Sequence, residues 1–129
     1  MPEFYNNAYF WQKIDTLYYS SHMEIVRPKG TAHPQYKNLI YPLDYGYLTD
    51  TVGESGHGIA VFMGTSGVET VSTMIIAADI LKKDVEIKLL VCCTPEEENA
   101  VLEFLNQTDF QKTILVRRGR DIPSWAISN

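Results

Sequence analysis

Apolar and polar positions change rhythm along the chain, and the changes mark its elements. Phe10, Trp11, Ile14, Leu17 and Tyr18 recur at spacings of three and four, which predicts an amphipathic helix over 8–20. Met23–Val26 reads as a short strand. Arg27-Pro28-Lys29-Gly30-Thr31 ends it, because Pro28 removes a ladder donor and Gly30 permits a turn. His33–Lys37 continues as loop or bend. Two apolar runs, from Ile40 to Leu48 and from Gly58 to Gly64, flank a polar, glycine-rich loop at 50–57. Residues 67–78 are rich in β-branched side chains and predict one strand, straight or bent. Asp79–Asp84 is a polar connection. Val85–Cys93 alternates at first and then turns wholly apolar, the pattern of a strand entering a core.

Thr94-Pro95-Glu96-Glu97 is a helix start with every local signal in place. Thr94 can cap, Pro95 suits the first helical position, and Glu97 can complete a capping box. Ala100, Val101, Phe104 and Leu105 give that helix an apolar face, and it should stop near 106–108. Thr113–Arg117 is a last strand before a polar tail over 119–129. About seven short strands with a helix near each end predict a mainly β (α+β) fold, a small β-barrel with helical cover. With 129 residues, no internal repeat and no linker, the chain reads as one domain over 1–129.

Composition narrows the classes of function. Hydrophobic residues make up 45% and charged residues 21%, ordinary for a globular chain. A net charge of −5 argues against broad nucleic-acid or anionic-membrane binding. No apolar run approaches the about 20 residues of a membrane-spanning helix. The first residues lack the basic start and apolar core of a signal peptide. Cys92 and Cys93 are adjacent and have no further cysteine to pair with, so neither a structural disulfide nor a zinc site is expected. These features predict a cytoplasmic protein.

The densest stretch is Tyr41-Pro42-Leu43-Asp44-Tyr45-Gly46-Tyr47-Leu48. Tyr45 and Tyr47 share a strand face, and Tyr41 joins them if the strand runs through Pro42. An aromatic ladder in a barrel core is one reading of these rings. The stretch also resembles the Tyr-Pro-x-Asn-Tyr-Gly-Tyr segment of the soluble inorganic pyrophosphatases. That resemblance implies an OB-like barrel and Mg²⁺-dependent attack of water on diphosphate. In that family the following loop carries Asp-Gly-Asp-Pro-x-Asp, which holds the metal ions. Laid on without a gap, its three aspartates fall on Ser55, His57 and Ala60, so the scaffold signature is present and the metal carboxylates are replaced.

The resemblance extends over roughly 24–105 and distributes roles. Asp79 and Asp84 match the spacing of the family's second acidic segment and are the metal candidates, Asp84 also as a catalytic group; the alternative is a solvated loop between strands. His57 could recruit a softer ion such as Mn²⁺ or Zn²⁺; the alternative is a plain polar loop residue. Tyr45 matches the tyrosine beside the attacking water and is the second catalytic candidate. Arg27 and Lys29 lie on a turn resembling the family's Pro-Lys/Arg-Gly-Ser and would bind phosphate. Tyr36 stands nearest the family's Lys-Tyr pair and Tyr41 on the wall, both assigned to substrate. Arg117 and Arg118 could add positive charge to the same mouth. The function implied is diphosphate hydrolysis, weak or lost where the carboxylates are replaced. The alternatives are a non-catalytic phosphate- or nucleotide-binding protein, and an assembly module that forms homo-oligomers through Trp11 and its aromatic neighbours.

Overall fold

The computed structural model describes residues 6–53 and 56–118. In chain order the elements are α1 (Ala8–Tyr19), β1 (Met23–Arg27), β2 (Asp44–Leu48), β3 (Ile59–Met63), β4 (Val71–Asp79), β5 (Asp84–Val91), α2 (Pro95–Leu105) and β6 (Gln111–Arg117). The polar tail expected over 119–129, and Ser55, lie outside the described residues.

The six described strands form one mixed sheet in the order β1-β2-β3-β5-β4-β6. Only β3 and β5 run parallel; every other pair is antiparallel. The fold is mainly β with two helices, and its ladder is open. β1 and β6 are edges that do not pair with each other, so the expected barrel is not closed by hydrogen bonds.

Alternation sorts the strands onto two faces. One face carries Tyr45, Ala60, Phe62, Ile75 and Leu90, and α2 covers it with Val101, Phe104 and Leu105. The other carries Leu48, Val61, Met74, Leu89 and Val91, and α1 covers it with Trp11 and Tyr18. The α1 periodicity therefore buries Trp11 completely, while Phe10 stays 47% exposed at the margin. Asn7 caps α1 by accepting from the Phe10 N–H. In α2 the capping box forms in full: the Glu97 N–H donates to Thr94 Oγ1 and the Glu97 carboxylate accepts from the Thr94 N–H.

Three departures from the sequence reading shape the site. The aromatic run does not continue through Pro42; β2 starts at Asp44, and Tyr41 closes a hairpin-like flap instead. In that flap Ala32 pairs with Ile40, and the His33 and Tyr41 N–H groups donate to the Leu39 and Thr31 carbonyls. β4 begins only at Val71, with a bulge between Val71 and Thr73 that opens the strand end. Cys92 ends β5 at φ 58, a left-handed conformation that turns the chain out of the sheet toward α2.

Gly46 holds β1 against β2. A Cβ there would stand 1.8 Å from the Glu24 carbonyl oxygen, so only glycine allows the two backbones to approach.

Candidate functional site

A cavity of about 680 Å³ opens between the α2-covered face, the flap and the turn before β6. Its floor is the row that crosses β2, β3 and β5. There Tyr47 pairs with Ala60, Ala60 with Lys88, and Tyr45 with Phe62. Ala60 offers only a methyl between the larger neighbours, and Lys88 reaches past it. The Lys88 ammonium donates to the Tyr45 hydroxyl at 3.2 Å and to Glu86 at 3.4 Å, and sits 5.3 Å from the Tyr45 ring centroid. Lys88 is 7% exposed, so this pairing is what permits a charge at that depth.

The phenols form a chain of their own. The Tyr47 ring meets that of Tyr45 edge to face at 5.6 Å, and burial pushes both phenols up to about 12. The Tyr45 oxygen accepts from Lys88, and its own O–H can donate. Tyr41 lies 5.3 Å from Tyr45 and 4.7 Å from Phe104, ring to ring, and burial raises its phenol too. His33 Nδ1 lies 3.1 Å from the Gln35 backbone N and 3.3 Å from that of Tyr36. As acceptor of both N–H groups, Nδ1 carries no proton, and Nε2 becomes the donor. Burial, with Lys82 and Arg27 nearby, lowers the imidazole's pKa and favours that neutral form.

The cavity brings together Arg27, Tyr36, Tyr41, Tyr45, His57 and Asp79 from the residues singled out in the sequence. Lys29 and Asp84 are not among its walls. Lys29 is exposed, and its N–H donates to Asp44 Oδ1 at 2.8 Å, tying the turn to β2. Asp84 faces Asp79 across the β4–β5 hairpin. Asp79, 6% exposed, accepts from the Leu81 and Lys82 N–H groups at 2.9 Å each, so it holds the hairpin's turn. The cationic pair expected on the last strand is taken elsewhere: Arg117, at the end of β6, binds buried Glu98 at 2.8 Å, and Arg118, just past it, binds Asp15 at 2.5 Å.

This donor set does not fit a Mg²⁺ site. Among the described residues no group of three His, Cys, Asp or Glu side chains is placed to hold a metal ion. Mg²⁺ demands near-octahedral oxygen ligation from clustered carboxylates. Asp79 already serves two backbone donors, and Ala60 has no ligand atom to offer. The described walls carry Arg27, Lys82 and Lys88 beside the carboxylate of Asp79, and Glu86 lies against both lysines at 3.7 and 3.4 Å, so Arg27 is the wall cation without a described carboxylate partner.

Lys88, Lys82, His33 and Phe110 are wall residues that the sequence reading passed over. A signal for Lys88 was present: Glu86 and Lys88 fall on the same strand face as Leu90, which aims two charges at the core.

No protein-family model matches the chain, and no curated protein matches its sequence. Solved structures do match. An inorganic pyrophosphatase from Neisseria gonorrhoeae superposes with a TM-score of 0.60 at 13% identity, covering 74% of this chain and 81% of that one. The fold is that of an inorganic pyrophosphatase. A second such enzyme, from Thermus thermophilus, gives 0.58 at 15% identity over the same shares. At these identities the likeness is one of fold, so the chemistry has to be argued from the walls described above.

Proposed function

We propose that this pyrophosphatase-like chain is a divergent relative of that family and binds a small phosphate-containing anion in the cavity without a metal ion. Diphosphate hydrolysis is weak or lost. The observation that carries the reading is the buried Lys88–Tyr45 pair: an ammonium and a phenol in hydrogen-bond contact face one cavity whose other described cations are Arg27 and Lys82. Among the described residues the Arg27 guanidinium donates to the Val26 carbonyl alone, at 3.0 Å, and pairs with no carboxylate, which leaves most of it for a ligand. Charge-assisted donors of this kind suit phosphate oxygens. The same donors replace, for binding, the cations that metal carboxylates would otherwise supply. For hydrolysis they do not replace the activated water.

The test is calorimetric titration of diphosphate and phosphate in EDTA, beside phosphate release from diphosphate in Mg²⁺ and then Mn²⁺. Binding in EDTA with negligible turnover is the expected result. Turnover in metal that disappears in Asp84→Ala would overturn the reading and restore Asp79 and Asp84, which face each other across the hairpin, as metal ligands.

A further inference from the structure

The cavity is larger and more divided than a bare phosphate or diphosphate requires. Its volume of about 680 Å³ lies within the roughly 300–1,000 Å³ of sites that enclose organic ligands. One sector holds the cations and phenols already described. The other is aromatic and comes from different elements: His33, Tyr36 and Tyr41 from the flap, and Phe110 from the turn before β6.

The two sectors are joined by a continuous run of rings. From Tyr45, whose oxygen meets Lys88, the path passes to Tyr41 at 5.3 Å and to His33 at 6.1 Å with nearly parallel planes. It continues to Tyr36 at 5.2 Å and ends at Phe110, 5.7 Å farther on. Tyr36 remains 38% exposed, although its ring lies against two others. Large rings that line a void instead of filling it leave apolar faces uncovered. A flat ring bound there would cover them.

We propose that the ligand is a phosphate ester bearing a flat aromatic group, of nucleoside monophosphate size, with its phosphate at Lys88 and Arg27 and its ring on Tyr36 and Phe110. The inference rests on the anion-binding reading above and names the ligand class for that site. The His33 ring lies between those of Tyr41 and Tyr36, and its remaining N–H is a donor available to a ligand that bridges the sectors. Sequence-tolerant stacking on such rings is a general means of holding bases. The aromatic sector has no role in binding diphosphate alone.

Calorimetry with AMP, UMP, phenyl phosphate, ribose 5-phosphate and diphosphate, on the wild type and on Tyr36→Ala and Phe110→Ala, tests this. AMP should bind roughly tenfold or more tightly than ribose 5-phosphate, the gain expected from one stacked ring. Each variant should reduce that gain, and Phe110→Ala should leave diphosphate affinity unchanged, with circular dichroism confirming the fold. Phenyl phosphate as tight as AMP would assign the recognition to ring and phosphate alone, and weaker binding would add the ribose; both support the proposal. Diphosphate binding without any advantage for AMP or phenyl phosphate would overturn it and leave the anion-binding reading intact. Failure of every phosphate probe to bind would overturn both.

Discussion

The Lys88 ammonium and the Tyr45 hydroxyl, 43 residues apart in the chain, meet at 3.2 Å on the floor of the cavity. β3 lies between their strands, and the contact exists because Ala60 leaves the space above it open.

Replacing Lys88 by methionine separates its roles. Methionine can fill the space of the stem, and Glu86 keeps Lys82 at 3.7 Å, so no carboxylate is stranded. Removing one partner of a buried pair destabilises when the other charge is left buried and uncompensated, which part-exposed Glu86 with Lys82 avoids. The melting temperature of Lys88→Met should therefore stay within a few degrees, while phosphate affinity by calorimetry falls at least about tenfold. Unchanged affinity would remove Lys88 from the site.

Tyr45→Phe keeps the ring packing against Phe62, 4.8 Å away, and deletes the oxygen that accepts from Lys88. Anion affinity should fall by about 1 kcal/mol, the value of one hydrogen bond. A larger loss of stability than of affinity would mark the phenol as structural.

Alkaline stability follows from the same phenol. The ordinary tyrosine pKa is 10.0 and that of folded Tyr45 is about 12, so the folded state keeps its proton where the unfolded chain has lost it. That contribution is intact below pH 10 and is lost as pH rises from 10 toward 12. Cys93, pushed from 9.0 to about 12 chiefly by burial, extends the window downward. Denaturant melts from neutral pH to above pH 10 should show a shallower decline in Tyr45→Phe than in the wild type. Parallel declines would show that Tyr45 does not set this limb.

Gly46→Ala places a methyl 1.8 Å from the Glu24 carbonyl oxygen, inside the β1–β2 ladder. β1 must shift, and Arg27 at its end shifts with it. The cost should reach about 3 kcal/mol, at the upper end for overpacking. Chemical denaturation measures it, and a loss below about 1 kcal/mol would show that the edge strand yields freely.

Thr94→Ala removes the capping hydroxyl of α2 and should cost about 1 kcal/mol. Glu97 should then hold its bonds to the Thr65 N–H and hydroxyl, so the helix start loosens without separating from β3's end. Thermal melts of the single variants and of the double variant with Glu97→Ala check this. Additive losses would show that the capping box does not act as a unit.

Local chemistry was legible in the sequence. The α2 start at Thr94 depends on neighbours three residues away, the α1 stripe on a period of 3.6, and the face shared by Tyr45 and Tyr47 on a period of two. Each is decided within one element. The wall at Tyr41 was found for an incomplete reason, because Pro42 breaks the strand and the ring returns through the flap. Arg117 and Arg118 looked available in the sequence and are held by Glu98 and Asp15, 19 and 103 residues away.

By itself, then, the sequence determined both helices, most of the strands, the α2 capping box and the tyrosine-rich stretch, since short-range sterics and periodicity set them; about seven strands were expected and six are described. Only the tertiary structure decided that β3 and β5 pair in parallel with Ala60 beside Lys88. It also turned Asp79 into the anchor of a turn and brought Phe110 across to Tyr36. Such relations depend on strand register and on which distant groups satisfy a buried charge or N–H. Those choices are made by the whole sheet as it packs, not by any stretch of chain alone.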